Sequence, residues 1–243
     1  VIYRARERQM SYGRPIGIVM LEERIPCPPG TPGNPTTFSH PVIYEVVKGV
    51  DIASLQNLNE LDSARNFLDA ANVLVDKGVS AIAGNCGLMI VHQAALAKAL
   101  PVPVLMSSLL LLPLIARLIG PGAEVGIIAS GAKGLKDGHL ALAGAAETPV
   151  ALATMEGRPH FRAAVGAQTG ALDFDKVEAE VVDVARGLVA DHPNVGAILL
   201  ECVDLPPYAH AVQEAVGLPV FDITTLIGLA LGAVIRRPFA GVY

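Results

Sequence analysis

Cys86 and Cys202 are the residues of this chain best placed to do chemistry. Each closes an apolar run: Val79–Met89 reads V-S-A-I-A-G-N-C-G-L-M, and Ala197–Tyr208 reads A-I-L-L-E-C-V-D-L-P-P-Y. The second run, followed by Pro206 and Pro207, reads as a buried strand passing through a loop into a helix N-terminus. A thiol there sits at a strand's carboxyl end, where open α/β sheets bind ligands. A helix N-terminus also favours thiolate over thiol. The two cysteines are 116 positions apart (202 − 86), and the same offset relates Ala81-Ile82 to Ala197-Ile198 and Pro103-Val104 to Pro219-Val220. Two halves of one plan therefore each carry a cysteine at an equivalent position. A pseudo-two-fold arrangement would bring the thiols together from opposite sides of a cleft.

Two thiols facing one carbon suit the inversion of a stereocentre. One removes a proton from one face and the other returns a proton to the opposite face. A thiol can take either role because its ordinary pKa, about 8.5, is easily moved to the working pH. Backbone N–H groups at the two helix N-termini can hold a substrate carboxylate and take up charge as it develops. No metal or cofactor is then needed. Other chemistries lack their residues. The six histidines form no H-x-H or H-x-x-x-H pair and there is no C-x-x-C, which argues against structural zinc. No G-x-G-x-x-G follows a strand, and Gly126 to Lys133 misses the spacing of a phosphate-binding loop. No G-x-S-x-G elbow is present. Cys27, in a Pro/Gly-rich stretch with no repeat partner, is read as incidental.

The chain has 243 residues, 52% apolar and 17% charged. That length suits one or two domains, and that balance suits strands buried on both faces under covering helices. The formal net charge is -5 and Lys and Arg form no long block, so nucleic acid is not an expected partner. Aromatic residues are scarce and Trp is absent, which removes most stacking platforms. The longest apolar segment, Val104–Ile119, contains Ser107, Ser108, Pro113 and Arg117 and is shorter than the roughly 20 residues of a bilayer span. No membrane partner is expected. No apolar stretch follows Arg4, Arg6 and Arg8, so no signal peptide is read. Three distant cysteines without a secretory signal then point to reduced thiols in the cytoplasm. The oligomeric state is left open, a homo-oligomer included.

The elements that must position the cysteines alternate between strand and helix. Pro15–Leu21 reads as the first buried strand. Glu22–Pro41 follows, too dense in Pro and Gly for long regular structure; at a strand's carboxyl end it reads as a lid or wall of the cleft. Within it, Arg24 could meet an anionic substrate, or be a solvated charge, and Gly33-Asn34-Pro35-Thr36-Thr37 offers N–H groups and hydroxyls, or is a plain turn. Val42–Val47 reads as a short strand. Asp62–Lys77 reads as a helix, with Leu61, Ala64, Leu68, Ala71 and Val75 on one face and Gly78 as its C-terminal glycine. Strand Ala81–Gly84, helix Leu88–Ala99, strand Val104–Met106 and helix Leu109–Ile119 complete the first half. After Gly120-Pro121-Gly122 the plan restarts: strand Val125–Ala129 with polar loop Ser130–Lys133, helix Leu135–Ala143, strand Val150–Thr154, helix Asp173–Ala190, strand Val195–Leu200, helix Pro207–Val216, strand Leu218–Phe221 and helix Ile223–Ile235. This predicts an α/β fold of two similar halves, residues 14–119 and 120–222, each a mainly parallel sheet flanked by helices, with a peripheral tail at 1–13.

Gly84-Asn85-Cys86-Gly87, together with Leu200-Glu201-Cys202-Val203-Asp204-Leu205-Pro206-Pro207-Tyr208, resembles the aspartate/glutamate racemase family, and the resemblance runs from about Pro15 to Ile235. It implies two similar α/β domains with the active site between them. It implies Cys86 and Cys202 as the acid/base pair, without cofactor. The Asn34 loop is similar to the glycine/proline/threonine loop after the first strand of aspartate racemases. The N–H groups of Gly87, Leu88 and Val203 and the Ser130 loop are expected to hold the carboxylate, with Asn85 beside them. Helix 223–235 is expected to pack back on the first half. Where many amino-acid racemases have Asn-Thr after the catalytic cysteine, this chain has Gly87-Leu88 and Val203-Asp204. Glu201 and Asp204 could bind a substrate ammonium or tune Cys202, or could serve as helix N-terminal charge or capping.

The function expected is that of a racemase or epimerase acting next to the carboxylate or carbonyl of a small amino-acid-like substrate. A decarboxylase like the arylmalonate decarboxylases, an isomerase like maleate isomerase, and a non-catalytic small-molecule binder are the alternatives. Cys86 favours a two-base reaction over decarboxylation, which needs only the second cysteine.

Overall fold

The computed structural model describes the chain except residues 1, 3, 6, 8, 10, 11, 51, 56–62, 132, 133, 237, 242 and 243. Leu61 and Asp62 of the expected helix, the Ala132-Lys133 end of the Ser130 loop and part of the tail therefore lie outside the described residues.

Apolar runs bounded by Pro and Gly become eight strands: β1 (Ile16–Met20), β2 (Val42–Val46), β3 (Ala81–Gly84), β4 (Val104–Leu105), β5 (Glu124–Ala129), β6 (Val150–Thr154), β7 (Val195–Leu200) and β8 (Val220–Phe221). They form two parallel four-stranded sheets, ordered β2-β1-β3-β4 and β6-β5-β7-β8. The fold is the expected α/β class, with two sheets of one plan. The sequence offset reappears as register: Ile82 lies opposite Val104, and Ile198 opposite Val220. Parallel strands covered on both faces must be apolar throughout, and all four residues of β3 are buried.

The flanking helices are α1 (Ile52–Leu55), α2 (Ala64–Asp76), α3 (Gln93–Ala99), α4 (Leu112–Ile119), α5 (Asp137–Leu142), α6 (Pro159–Phe161, continuing as a π-turn over Arg162–Gly166), α7 (Phe174–Asp191), α8 (Ala209–Val216) and α9 (Ile223–Val234). Three helices expected as continuous from a strand end begin instead with a 3-10 segment: Gly87–His92 before α3, Ser108–Leu111 before α4 and Pro206–Tyr208 before α8. A 3-10 start tightens the first turn. The buried face of α2 is also rotated from expectation: Phe67, Ala70, Ala71 and Leu74 are buried, while Ala64, Leu68 and Val75 are partly exposed. The reason is its seat on β1 and β2, where Phe67 and Leu74 are the bulk that fills the contact. Gly78 ends α2 as expected, with φ 83° and its N–H bonded to Val75 O at 2.8 Å. In α7 the four expected valine and leucine positions are buried, and Asp173 caps the helix through Lys176 N–H.

One core cluster runs through both sheets, from Ile16, Ile18 and Ala83 to Ile127, Ala197 and Leu199, with Leu112, Ile115 and Ile227 between them. The helix α9, capped by Asp222 Oδ1 at 2.7 Å from Thr224 N, packs on β3 and the Ser108–Leu111 turn as well as on β8. The outer faces carry α2 on one sheet and α7 on the other. Glycine sets how closely each helix approaches. A Cβ on Gly17 would stand 3.0 Å from Leu74 Cδ1, and one on Gly126 would stand 2.9 Å from Ile198 Cδ1 and 3.0 Å from Leu188 Cδ2. Gly126→Val therefore overpacks the α7 seat and should cost about 1–3 kcal/mol. Urea unfolding checks this; an unchanged midpoint would show that the seat is loose.

Candidate active site

Cys86 leaves β3 in extended backbone (φ −151°, ψ 132°) and stands at the N-terminus of the Gly87–His92 turn. Cys202 follows the end of β7 at Leu200 and precedes the Pro206–Tyr208 turn. The two strand ends are built alike: Asn85 N–H bonds Val19 O at 3.1 Å and Glu201 N–H bonds Ile128 O at 3.0 Å; Met89 N–H bonds Cys86 O and Leu205 N–H bonds Cys202 O, both at 3.1 Å. Both thiols line one cavity of about 340 Å³ between the halves. Ser108 Oγ fastens the halves behind it, donating to Leu200 O at 3.1 Å. Gly87 lies flat against Glu201, and a Cβ there would overlap both the carboxyl and the main-chain carbonyl of Glu201.

Of the residues expected to bind substrate, Asn85, Gly87, Leu88, Ser130 and Val203 line this cavity. The side chain of Asn85 also has a structural task, since its Oδ1 accepts from Leu21 N–H at 2.9 Å. Arg24 and Asn34 are not among the lining residues. Asn34 is used inside its own loop: Oδ1 caps the Pro35–Thr37 turn through Thr36 N–H, and Nδ2 donates to Cys27 O at 2.8 Å. Arg24 is exposed and lies along Gly170. Its loop is nonetheless a wall of the cavity, through Glu23 and Ile25. It is tied to the opposite half by Arg24 N–H to Gln168 Oε1 at 2.9 Å. Gln168 holds a left-handed backbone, φ 49°, which a non-glycine residue adopts at some cost.

The facing wall, Met155, Glu156, Phe161, Arg162, Val165 and Gln168, was not anticipated. One signal was available for its start. Met155 and Glu156 follow the carboxyl end of β6, the same edge that carries the cysteines. The π-turn has no comparable signal.

Three carboxyls share the cavity with the thiols. Burial, and then Asp204, pushes Glu23 up to about 7. Burial alone pushes Glu201 up to about 7. Burial pushes Asp204 up to about 6, against the thiol of Cys202, which donates to its Oδ2 at 3.6 Å. Both thiols rise well above the ordinary thiol range. For Cys86 the causes are burial, then Glu201 and Glu23; for Cys202 they are burial, then Asp204 and Glu201. The N–H two residues on, Leu88 for Cys86 and Asp204 for Cys202, works in the other direction. The cavity is thus acidic and favours protonated thiols. A positive charge placed in it lowers all five groups together. Among the described residues no group of three or more His, Cys, Asp or Glu side chains is placed to hold a metal ion, and no helix is long and apolar enough to cross a membrane.

Comparison with known proteins gives a family and a fold. The profile of the Asp/Glu/Hydantoin racemase family matches residues 36–228. A dimethylsulfoniopropionate lyase of Durusdinium sp. clade D is 30% identical over 234 residues, 93% of this chain and 77% of that protein. Dimethylsulfoniopropionate lyase 3 of Emiliania huxleyi (strain CCMP1516) is 31% identical over 238 residues, 93% of this chain but 61% of that protein. Among solved structures, allantoin racemase from Pseudomonas fluorescens superposes with a TM-score of 0.64 at 14% identity, covering 94% of this chain and 100% of that one.

The raised thiols make a prediction for the protein without ligand. Near pH 7, iodoacetamide should modify the exposed Cys27 first and the buried pair slowly, with the rates at Cys86 and Cys202 climbing about tenfold per pH unit to beyond pH ~9. Peptide mass spectrometry of timed samples reads this out. Cys86 and Cys202 reacting as fast as Cys27 at neutral pH would mean that the acidic cavity does not suppress them.

Proposed function

We propose that this chain, which belongs to the Asp/Glu/Hydantoin racemase family, uses a cavity cysteine to take the proton next to a substrate carboxylate, and that a cationic leaving group on the following carbon turns proton loss into elimination. The observation that carries this reading is the company the thiols keep. Glu23 and Asp204 share the cavity wall with Ile25, Phe161 and Val165. A methylated onium centre is weakly hydrated, offers no N–H, and is best held by carboxylate charge together with apolar and aromatic surface. The relatives named for a sulfonium substrate align over 93% of the chain, which supports the same substrate class here.

For 3-(dimethylsulfonio)propionate the step balances without any further reactant. The cysteine thiolate takes a C2 proton, the released pair forms the C2–C3 double bond, and the C3–S bond breaks with its pair left on sulfur. The products are acrylate and dimethyl sulfide. The bound cation does preparatory work as well, because it offsets the carboxylates that hold the thiols protonated. The N–H groups of Gly87, Leu88 and Val203 hold the carboxylate and take up charge as the carbanion forms. The protein is read as working on a small carboxylate in the cytoplasm, where free thiols persist.

A second reading, two-base racemisation at a carbon next to a carboxylate, is favoured by the equivalence of Cys86 and Cys202, since inversion requires an acid and a base on opposite faces. One experiment separates the two. With 3-(dimethylsulfonio)propionate, dimethyl sulfide in the headspace and acrylate by NMR should appear, and Cys86→Ala or Cys202→Ala, whichever removes the base, should lower the rate by about 10²–10⁴-fold. If no sulfide forms, and amino acids or hydantoins in heavy water instead take up deuterium with inversion, the protein is a racemase. A fully active Cys86→Ala variant would assign the base to Cys202, and full activity in both single variants would overturn the cysteine reading. Tight binding without turnover on either set would support a binder.

A further inference from the structure

The pseudo-symmetry singles out Glu201. It occupies the position that Asn85 holds in the first half, each donating its N–H to the neighbouring strand just before a cysteine. Asn85 turns its side chain back to Leu21 N–H. Glu201 does not make the matching bond. Its carboxyl reaches across the pseudo-axis and lies on Gly87, so closely that only glycine fits there. It is 3% exposed, lines the cavity, and among the described residues has no hydrogen-bond or ion-pair partner for its carboxyl. Its oxygens are not fully enclosed; they open to the cavity, where a ligand can reach them. The carboxyl lies beside Gly87, next to Leu88, whose N–H is turned to the Cys86 sulfur.

We infer that Glu201 acts as a neutral carboxylic acid that donates a hydrogen bond to the substrate carboxylate beside Gly87, and holds it as negative charge moves onto that oxygen. The inference rests on the reading that the cavity binds a carboxylate. The ionisable groups that share its cavity are Cys86 at the end of β3, Glu23 on the loop after β1, and Cys202 and Asp204 on its own element; burial alone raises it. Ser108 Oγ behind it is occupied with the main-chain oxygens of Leu200 and Glu201. Arg162 and Glu156 belong to the opposite wall. Burial has already brought the group up to about 7, and an arriving carboxylate raises it further, so the anion binds together with a proton.

The test uses the whole wild-type protein with propionate, which has a carboxylate but nothing to eliminate. Titration calorimetry in two buffers of different ionisation enthalpy counts protons. Near pH ~8.5 close to one proton should enter with each propionate, falling towards none by pH ~5, and affinity should weaken by about tenfold per pH unit above ~7. Glu201→Gln keeps a donor of the same shape; it should bind propionate without proton uptake and with no pH dependence over that range, and its kcat/KM should lose the fall above pH ~7. Glu23→Gln and Asp204→Asn should keep the uptake. Propionate binding to wild type without proton uptake, or uptake that vanishes in Glu23→Gln or Asp204→Asn instead, overturns the assignment to Glu201. No propionate binding to wild type even near pH ~6 overturns the carboxylate-binding reading and the inference with it. The wild-type measurement stands alone if the Glu201→Gln protein does not fold.

Discussion

Everything in this molecule is arranged around the meeting of two strand ends. The residues after β3 and those closing β7 press together so closely that Gly87 has no room for a side chain against Glu201. The shared core and the Ser108 bonds to Leu200 and Glu201 hold the sheets in that relation. Parallel sheets collect their ligand groups at one edge. Opposing two such edges brings two reactive groups and two sets of outward N–H groups around one space. The cysteines share a cavity because the backbones that carry them are in contact, and a bulkier residue at position 87 would part them.

The same closeness sets the electrostatics. Two thiols and three carboxyls removed from water cannot all be charged, and the structure leaves each of them raised. As a resting state that is a poor place for a thiolate base. A ligand that brings positive charge lowers both thiols and makes a base available. A small apolar or purely anionic molecule would enter and leave the thiols protonated. Selectivity here acts on the protonation of the base as well as on fit.

The sequence made the cysteine pair legible because two strong, local signals coincided: an apolar run with a defined end, and an offset of 116 (202 − 86) shared with other dipeptides. Both survive into the structure as strand ends and register. Most of the cavity wall carried no such signal. Glu23 sits in a Pro/Gly loop without period, and Phe161 to Gln168 runs through a π-turn whose place is decided by contacts distant in the chain, such as Arg24 N–H to Gln168 Oε1. Arg24 and Asn34 were plausible by residue type, yet loops satisfy their own polar groups first, and Asn34 is taken up by Thr36 and Cys27. The face of α2 was misjudged by a fraction of a turn because small and large apolar residues count alike in a period, while Phe67 and Leu74 decide the packing.

What the repeat does not preserve is the most informative part of the site. Asn85-Cys86-Gly87-Leu88 and Glu201-Cys202-Val203-Asp204 share a backbone, down to matching hydrogen bonds, yet the first is neutral beside its cysteine and the second carries two acids. A racemase handling mirror-image substrates gains from walls that treat its two faces alike. Here Glu201 and Asp204 flank Cys202 while Asn85, Gly87 and Leu88 flank Cys86, so the two thiols stand in unlike electrostatic settings. The proposed elimination, with one base and one leaving group, would use that asymmetry, and it sits on a symmetric scaffold.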